Sequence, residues 1–205
     1  MSELFSIQLQ NQQQQGRDGV WLDLPTTTEQ VQAALRQIGI SSDNPQGLFI
    51  SGYFAEEEKR FAIPYNMVLA SNVDELNFLA SRLETLSTGE RAELNAALQA
   101  PQSELFSIGR ITDFPENVDY YVHLPDVHGP AQLGDYYLNR SGMVDMPEEW
   151  KGGIDTAQFG RYVAQQEQGV FTEYGYLVKS GDAWQKVHEG QPVPEEYRVL
   201  SLPAP

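Results

Sequence analysis

Residues 20–40, VWLDLPTTTEQVQAALRQIGI, decide the class of fold, because two different periodicities meet there. Val20, Trp21, Leu22 and Leu24 follow a polar stretch and read as a strand. Thr26 to Thr28 then lead into EQVQAALRQIG, where Val31, Ala34, Leu35 and Ile38 recur at helical spacing and Gly39 is the stop. Upstream, polar and apolar residues alternate through Phe5, Ile7 and Leu9 until the Gln12 to Gln15 run and Gly16 interrupt them, which predicts a first strand and a polar loop. Downstream, GLFISGYF at 47–54 predicts a third strand. Residues 1–64 are therefore expected to form a small α+β module, an antiparallel sheet with one helix.

Residues 65–101 read as a helical middle. Asn72 with Glu75 opens a capping box before Leu76, Leu79, Ala80, Leu83 and Leu86, and Ser87 with Glu90 repeats it before Leu94, Ala97 and Leu98. Glu90 and Glu93 are expected on the solvated face of that second helix. Residues 102–178 are mixed: helices over about 103–112, 130–140 and 155–167, a loop or short strand at VDYYVHLP (118–125), and a strand at FTEYGYLV (171–178). After Lys179 the chain is rich in Gly and Pro. Residues 179–205 read as an extra tail, loose from about 190. The hexapeptide SELFSI occurs at 2–7 and 103–108, but its flanks share no pattern, so we read coincidence and not duplication.

Composition narrows the function. Among 205 residues, 29 Asp plus Glu face 13 Lys plus Arg, for a formal charge of -16. Direct binding to nucleic acid or anionic lipid requires a basic footprint, which this chain lacks. The acids are spread along the chain and interleaved with aromatics, so they belong to a folded polyanion. Cysteine is absent, which excludes disulfides, zinc–thiolate sites and cysteine nucleophiles. The N-terminus lacks the basic start and apolar run of a signal peptide, and no stretch approaches the ~20 apolar residues of a membrane span, so a cytoplasmic location is expected.

Motifs with a mechanism behind them are missing: there is no GxSxG, HExxH, GxGxxG or GxxxxGK[ST]. His123, Asp126 and His128 have metal-ligating chemistry, but Pro125 breaks the helical face that would align them, and a surface loop is the simpler reading. Carboxylate pairs such as Glu148–Glu149, or Glu56 to Glu58, read singly as wet surface. We expect no catalytic residues, no metal and no cofactor. The C-terminal tyrosines, from Tyr120 and Tyr121 to Tyr174 and Tyr176, read as core with hydroxyls at its rim.

Collectively the acids suggest more. Duplex DNA carries about one charge per 1.7 Å of axis, so the net charge here matches that on roughly 27 Å of duplex. The stretch LGDYYLNRSGMVDMPEEWKGGIDTAQFGRYVAQQEQGVFTEYGYL (133–177) resembles the C-terminal part of ArdA-type antirestriction proteins, which carry LG-x-YY, an acidic segment, ID-x-x-x-(F/Y)GR and FT-(D/E)-YGY in that order. VWLDLP, LFISGYF (48–54) and VDELNFLASRLETL (73–86) are similar to that family's N-terminal motifs.

The resemblance implies an elongated chain of three small modules with no catalysis. It implies a DNA mimic that occupies the DNA site of type I restriction-modification enzymes, on their DNA-recognition and methyltransferase subunits. It also implies a homodimer carried on a mobile element. By match to the family's acidic pattern, Asp135, Asp145, Glu148, Glu149, Asp155, Glu167 and Glu173 would stand in for phosphates. Asp113, Glu116, Asp119 and Asp126 are added on charge alone. Tyr136, Tyr137, Met143 and Met146 would be the scaffold beneath. Asn139 and Arg140 stand where the family often has a pair of acids. An acidic adaptor for some other basic protein is the alternative.

Overall fold

The computed structural model describes residues 4–14, 18–41, 46–57, 60–101 and 103–200. Gln15, Gly16 and Glu58, named above, lie outside the described residues. The class is α+β, as expected, with two three-stranded antiparallel sheets. The chain divides into two compact units, each discontinuous: unit 1 holds residues 1–87, 105–116 and 186–205, and unit 2 holds 88–104 and 117–185. This division passes through the middle of the 65–101 segment, between its two helices.

Unit 1 is built on strands β1 (Phe5–Asn11), β2 (Val20–Leu24) and β3 (Leu48–Phe54), in the order β2-β1-β3. Ile7 pairs with Leu22 and Tyr53, so Phe5, Ile7, Leu9, Leu22, Leu24 and Ile50 share one buried face. Helix α1 (Thr28–Gln37) buries Val31, Ala34 and Leu35 and begins in a capping box between Thr27 and Gln30. The residues that predicted it are those that form it. A short α2 (Tyr65–Leu69) precedes α3 (Val73–Leu83), whose Asn72–Glu75 capping box is also formed. Helix α5 (Ile108–Thr112) packs on α3.

The expected helix over 103–112 is therefore shorter, because the Ser107 side chain caps α5 by accepting the Arg110 N–H. The tail also departs from expectation. Residues 186–200 return to unit 1 and are tied down: Asp113 accepts the backbone N–H of Val187, His188 and Glu189, and Asp74 those of Val199 and Leu200. Asn77 donates to the Tyr197 carbonyl, and the Phe78 ring packs against His188 and Tyr197. Gly and Pro content signals the absence of regular structure, and here irregular backbone is held by side-chain acceptors. Residues 201–205 lie outside the described residues.

Unit 2 contains α4 (Thr88–Gln99), β4 (Tyr121–Leu124), α6 (Pro130–Asp135), α7 (Glu148–Lys151), α8 (Thr156–Glu167), β5 (Val170–Thr172) and β6 (Gly175–Lys179). The sheet order is β4-β6-β5. The single strand expected over 171–178 is a hairpin, because Gly175 adopts φ +121° and the Thr172 hydroxyl bonds across the turn to Tyr174 and Gly175. A helix over 130–140 is present as α6 followed by a wider π-type turn at Tyr136–Arg140. Helix α8 matches its expected span, with Asp155 as its cap.

Candidate acidic interface

The acids of unit 2 are carried on a small, closely packed scaffold. Helices α6 and α8 cross where Gly134 meets Gly160: a Cβ on Gly134 would sit 1.9 Å from the Thr156 carbonyl oxygen, and one on Gly160 1.8 Å from that of Pro130. Only glycine permits this approach. The two glycines of LG-x-YY and FGR thus mark one helix crossing. Val127, Leu133 and Tyr176 form the buried centre, with Tyr136, Tyr137, Val163 and Phe171 packed around it. Met143 does not join this scaffold, contrary to expectation, being 76% exposed just after Gly142, where φ is +70°.

The eleven acids singled out in the sequence separate into three kinds. Asp113 is not a surface group at all: it is 0% exposed in unit 1, and its carboxylate accepts the three backbone N–H groups of the returning segment. A buried carboxylate is tolerable when it is satisfied in this way. Glu116, also in unit 1, is half-buried and paired with Arg82. Glu167 is internal as well. It ends α8 and accepts hydrogen bonds from the Tyr137 and Tyr176 hydroxyls, which joins the π-type turn, α8 and β6. Burial, reinforced by this carboxylate, raises the pKa of both phenols above the ordinary tyrosine value.

A second kind is exposed or half-buried and engaged locally. Asp135 accepts from the Asn139 amide at 2.8 Å and pairs with Arg140 at 3.4 Å. Those two residues stand where the family often has acids, and here both engage Asp135, Arg140 with an opposing charge and Asn139 with a hydrogen bond. Glu148 pairs with Lys151, Glu173 accepts from Gln99, and Asp155 caps α8. The third kind comprises Asp119, Asp126, Asp145 and Glu149, which are exposed and make no hydrogen bond or ion pair among the described residues. Such carboxylates are open to a partner.

One acid behaves against expectation in the other direction. Glu93 on α4 is half-buried, not solvated, and its Oε1 is shielded from water without a hydrogen-bond partner among the described residues. Burial first, and the charges of Glu90 and Asp119 second, push its pKa up to about 8. Helical periodicity placed it opposite the Leu94 face but could not reveal that β4 and β6 pack on this helix. Asp182, exposed in the turn after β6, is a further unit 2 acid that the sequence reading passed over, because it lies beyond the stretch that carries the resemblance.

Taken together, unit 2 holds 13 carboxylates against five Lys plus Arg. Among the described residues no group of three or more His, Asp or Glu is placed to hold a metal ion. His123 instead shares its Nε2 with the Tyr174 carbonyl at 2.7 Å. Among the described residues no helix is long and apolar enough to cross a membrane. A family model described as antirestriction protein (ArdA) matches residues 15–178. The chain belongs to the ArdA antirestriction family. No individually curated relative matches it. Membership carries an antirestriction function, exerted on restriction-modification enzymes, and places the chain among inhibitors. The ArdA match ends at β6, so the returning segment at 186–200 lies outside it.

Proposed function

We propose that this ArdA-family chain is a non-enzymatic DNA mimic that occupies the DNA-binding site of type I restriction-modification enzymes, on their DNA-recognition and methyltransferase subunits. The observation that supports this reading is the set of exposed carboxylates of unit 2, Asp119, Asp126, Asp145 and Glu149, that make no ion pair among the described residues. Lys and Arg arranged to receive phosphates meet carboxylates equally well, and complementary charge speeds the encounter. Asp135, Glu148, Asp155 and Glu173 contribute with part of their charge engaged locally. Asp113 is removed from the phosphate-mimicking set by its burial, and Glu116 and Glu167 act mainly as internal ties. A homodimer suits targets that hold approximately two-fold DNA sites. The setting is the cytoplasm of a cell that has received the gene on a mobile element.

The test is a pull-down with purified type I methyltransferase core, with and without competing duplex DNA. The protein is expected to bind the core and to be displaced by duplex. Binding that duplex does not disturb would sink the mimic reading in favour of an acidic adaptor, and absence of binding would redirect the search to another basic partner.

A further inference from the structure

DNA mimicry leaves one face of unit 1 unexplained. On the side of the β2-β1-β3 sheet opposite its core, Trp21 is 50% exposed, Phe54 58% and Phe49 42%. Register places them together: Gln8 of β1 pairs with Trp21 and Gly52, while Ser6 pairs with Asp23 and Phe54. The Trp21 and Phe54 rings meet edge to face, with centroids 6.4 Å apart. Trp21 reaches over Gly52, where a Cβ would come within 3.0 Å of the indole. In the same outward row as Phe54, Asp23 accepts a hydrogen bond from the Ser6 hydroxyl through Oδ1. Glu56 and Glu57 follow immediately after the strand and are exposed.

The chemistry of this face is specific. None of the three strands, FSIQLQN, VWLDL and LFISGYF, contains Lys or Arg, and the only charge on them is the carboxylate of Asp23. The outside of a DNA duplex offers phosphate, sugar and base edges, with base faces stacked inside, so a pair of exposed ring faces is not a feature of the duplex surface. Solvent-exposed indole and phenyl rings beside carboxylates fit a guanidinium, which stacks on the ring face while its N–H fork engages the acid. An ammonium on a flexible stem gains less from a ring face, being compact and strongly hydrated. We propose that the outward face of the unit 1 sheet is a docking surface for an arginine-bearing segment of a basic protein partner, with Trp21 and Phe54 as the stacking platform and Asp23 as the counter-charge. The proposal stands apart from the DNA-mimic reading, since it uses other residues, in the other unit.

A hexa-arginine and a hexa-lysine peptide, titrated separately into the full chain at one ionic strength, test it. Overall charge attracts both alike, so the difference isolates the platform. Arginine is expected to bind roughly two- to fivefold more tightly, the size of a cation–π contribution at an exposed site, and to move the indole N–H resonance of Trp21. The double variant Trp21→Leu, Phe54→Leu keeps an apolar cover over Gly52, and so the fold, while removing both π faces. It should bind the two peptides equally, at the wild-type lysine affinity. A variant with Asp145→Asn, Glu148→Gln and Glu149→Gln should keep the arginine preference, which separates this proposal from failure of the mimic reading. Equal binding of the two peptides by the wild-type chain overturns the proposal. So does a Trp21 resonance that stays still, or sedimentation showing that the face is covered by a second copy in a dimer that Trp21→Leu dissolves.

Discussion

Asp113 in unit 1 and Asp145 in unit 2 are the same residue type and read alike in the sequence, yet the two units use them in opposite ways. Unit 1 turns Asp113 inward, where three backbone N–H groups converge on it, and Asp74 secures two more from the same segment. Unit 2 leaves Asp145 exposed, without a partner among the described residues. Charge cannot explain the difference: unit 1 has 16 acids and 8 bases, unit 2 has 13 and 5, and both carry a net charge of -8. A carboxylate's role here is set by what donates to it. Backbone donors make it a fastener, and their absence leaves it exposed at the surface.

The sharpest way to break that comparison is to remove the fastener. Asp113→Ala leaves three N–H groups without their acceptor inside unit 1 and should destabilise the protein by about 3–5 kcal/mol, seen as a lowered denaturant midpoint. Asp113→Asn, which keeps one acceptor oxygen, should fall between. A midpoint within about 0.5 kcal/mol of wild type for the alanine variant would show that residues 186–200 are held by other contacts.

Glu93 sharpens the comparison from unit 2's side, since it is buried there without the donors that Asp113 enjoys. Its folded pKa of about 8 lies above the ordinary value of 4.5, so it binds its proton more tightly in the folded state. The stability this contributes is complete below pH 4.5 and declines as pH rises toward 8. Glu93→Gln mimics the protonated form. It should match wild type near pH 4.5 and be more stable by about 1–3 kcal/mol at pH 8, a range discounted for partial solvent access. Thermal midpoints across that interval would show it, and parallel curves for the two proteins would refute it.

The smallest effect on stability is expected where the effect on function is largest. Changing Asp145, Glu148 and Glu149 together to Asn, Gln and Gln should alter stability by no more than ~0.5 kcal/mol, because exposed charges contribute little. It should weaken binding to the methyltransferase core measurably. A collapsed fold in that variant would place these acids with Asp113, as structural groups.

Much of this architecture is legible in the chain. The alternation in β1, the Asn72–Glu75 capping box, and the 3.6-residue spacing in α1 and α3 are local signals, and each element formed where its signal stood. The motifs around LG-x-YY and FGR carried the family as well. What escaped was one tight turn and a set of non-local contacts. FTEYGYLV turns back at Gly175 through a backbone angle that its side-chain pattern does not encode, and the 186–200 segment looked loose because its acceptors lie 74 to 126 residues away in sequence.

The same distinction governs the acids. Sequence alone determined that the protein is a folded polyanion without cysteine, that it is α+β, and which family it resembles, because charge, composition and period are properties of residues and their near neighbours. Tertiary structure decided which carboxylates are exposed and which are held inside. Asp113 and Glu167 sit beside exposed acids in composition and motif, and only the chain's return past them brought the N–H and O–H donors that turned them inward. Whether a carboxylate is satisfied depends on what lies within three ångströms of it, and that is settled by packing between segments far apart in the sequence.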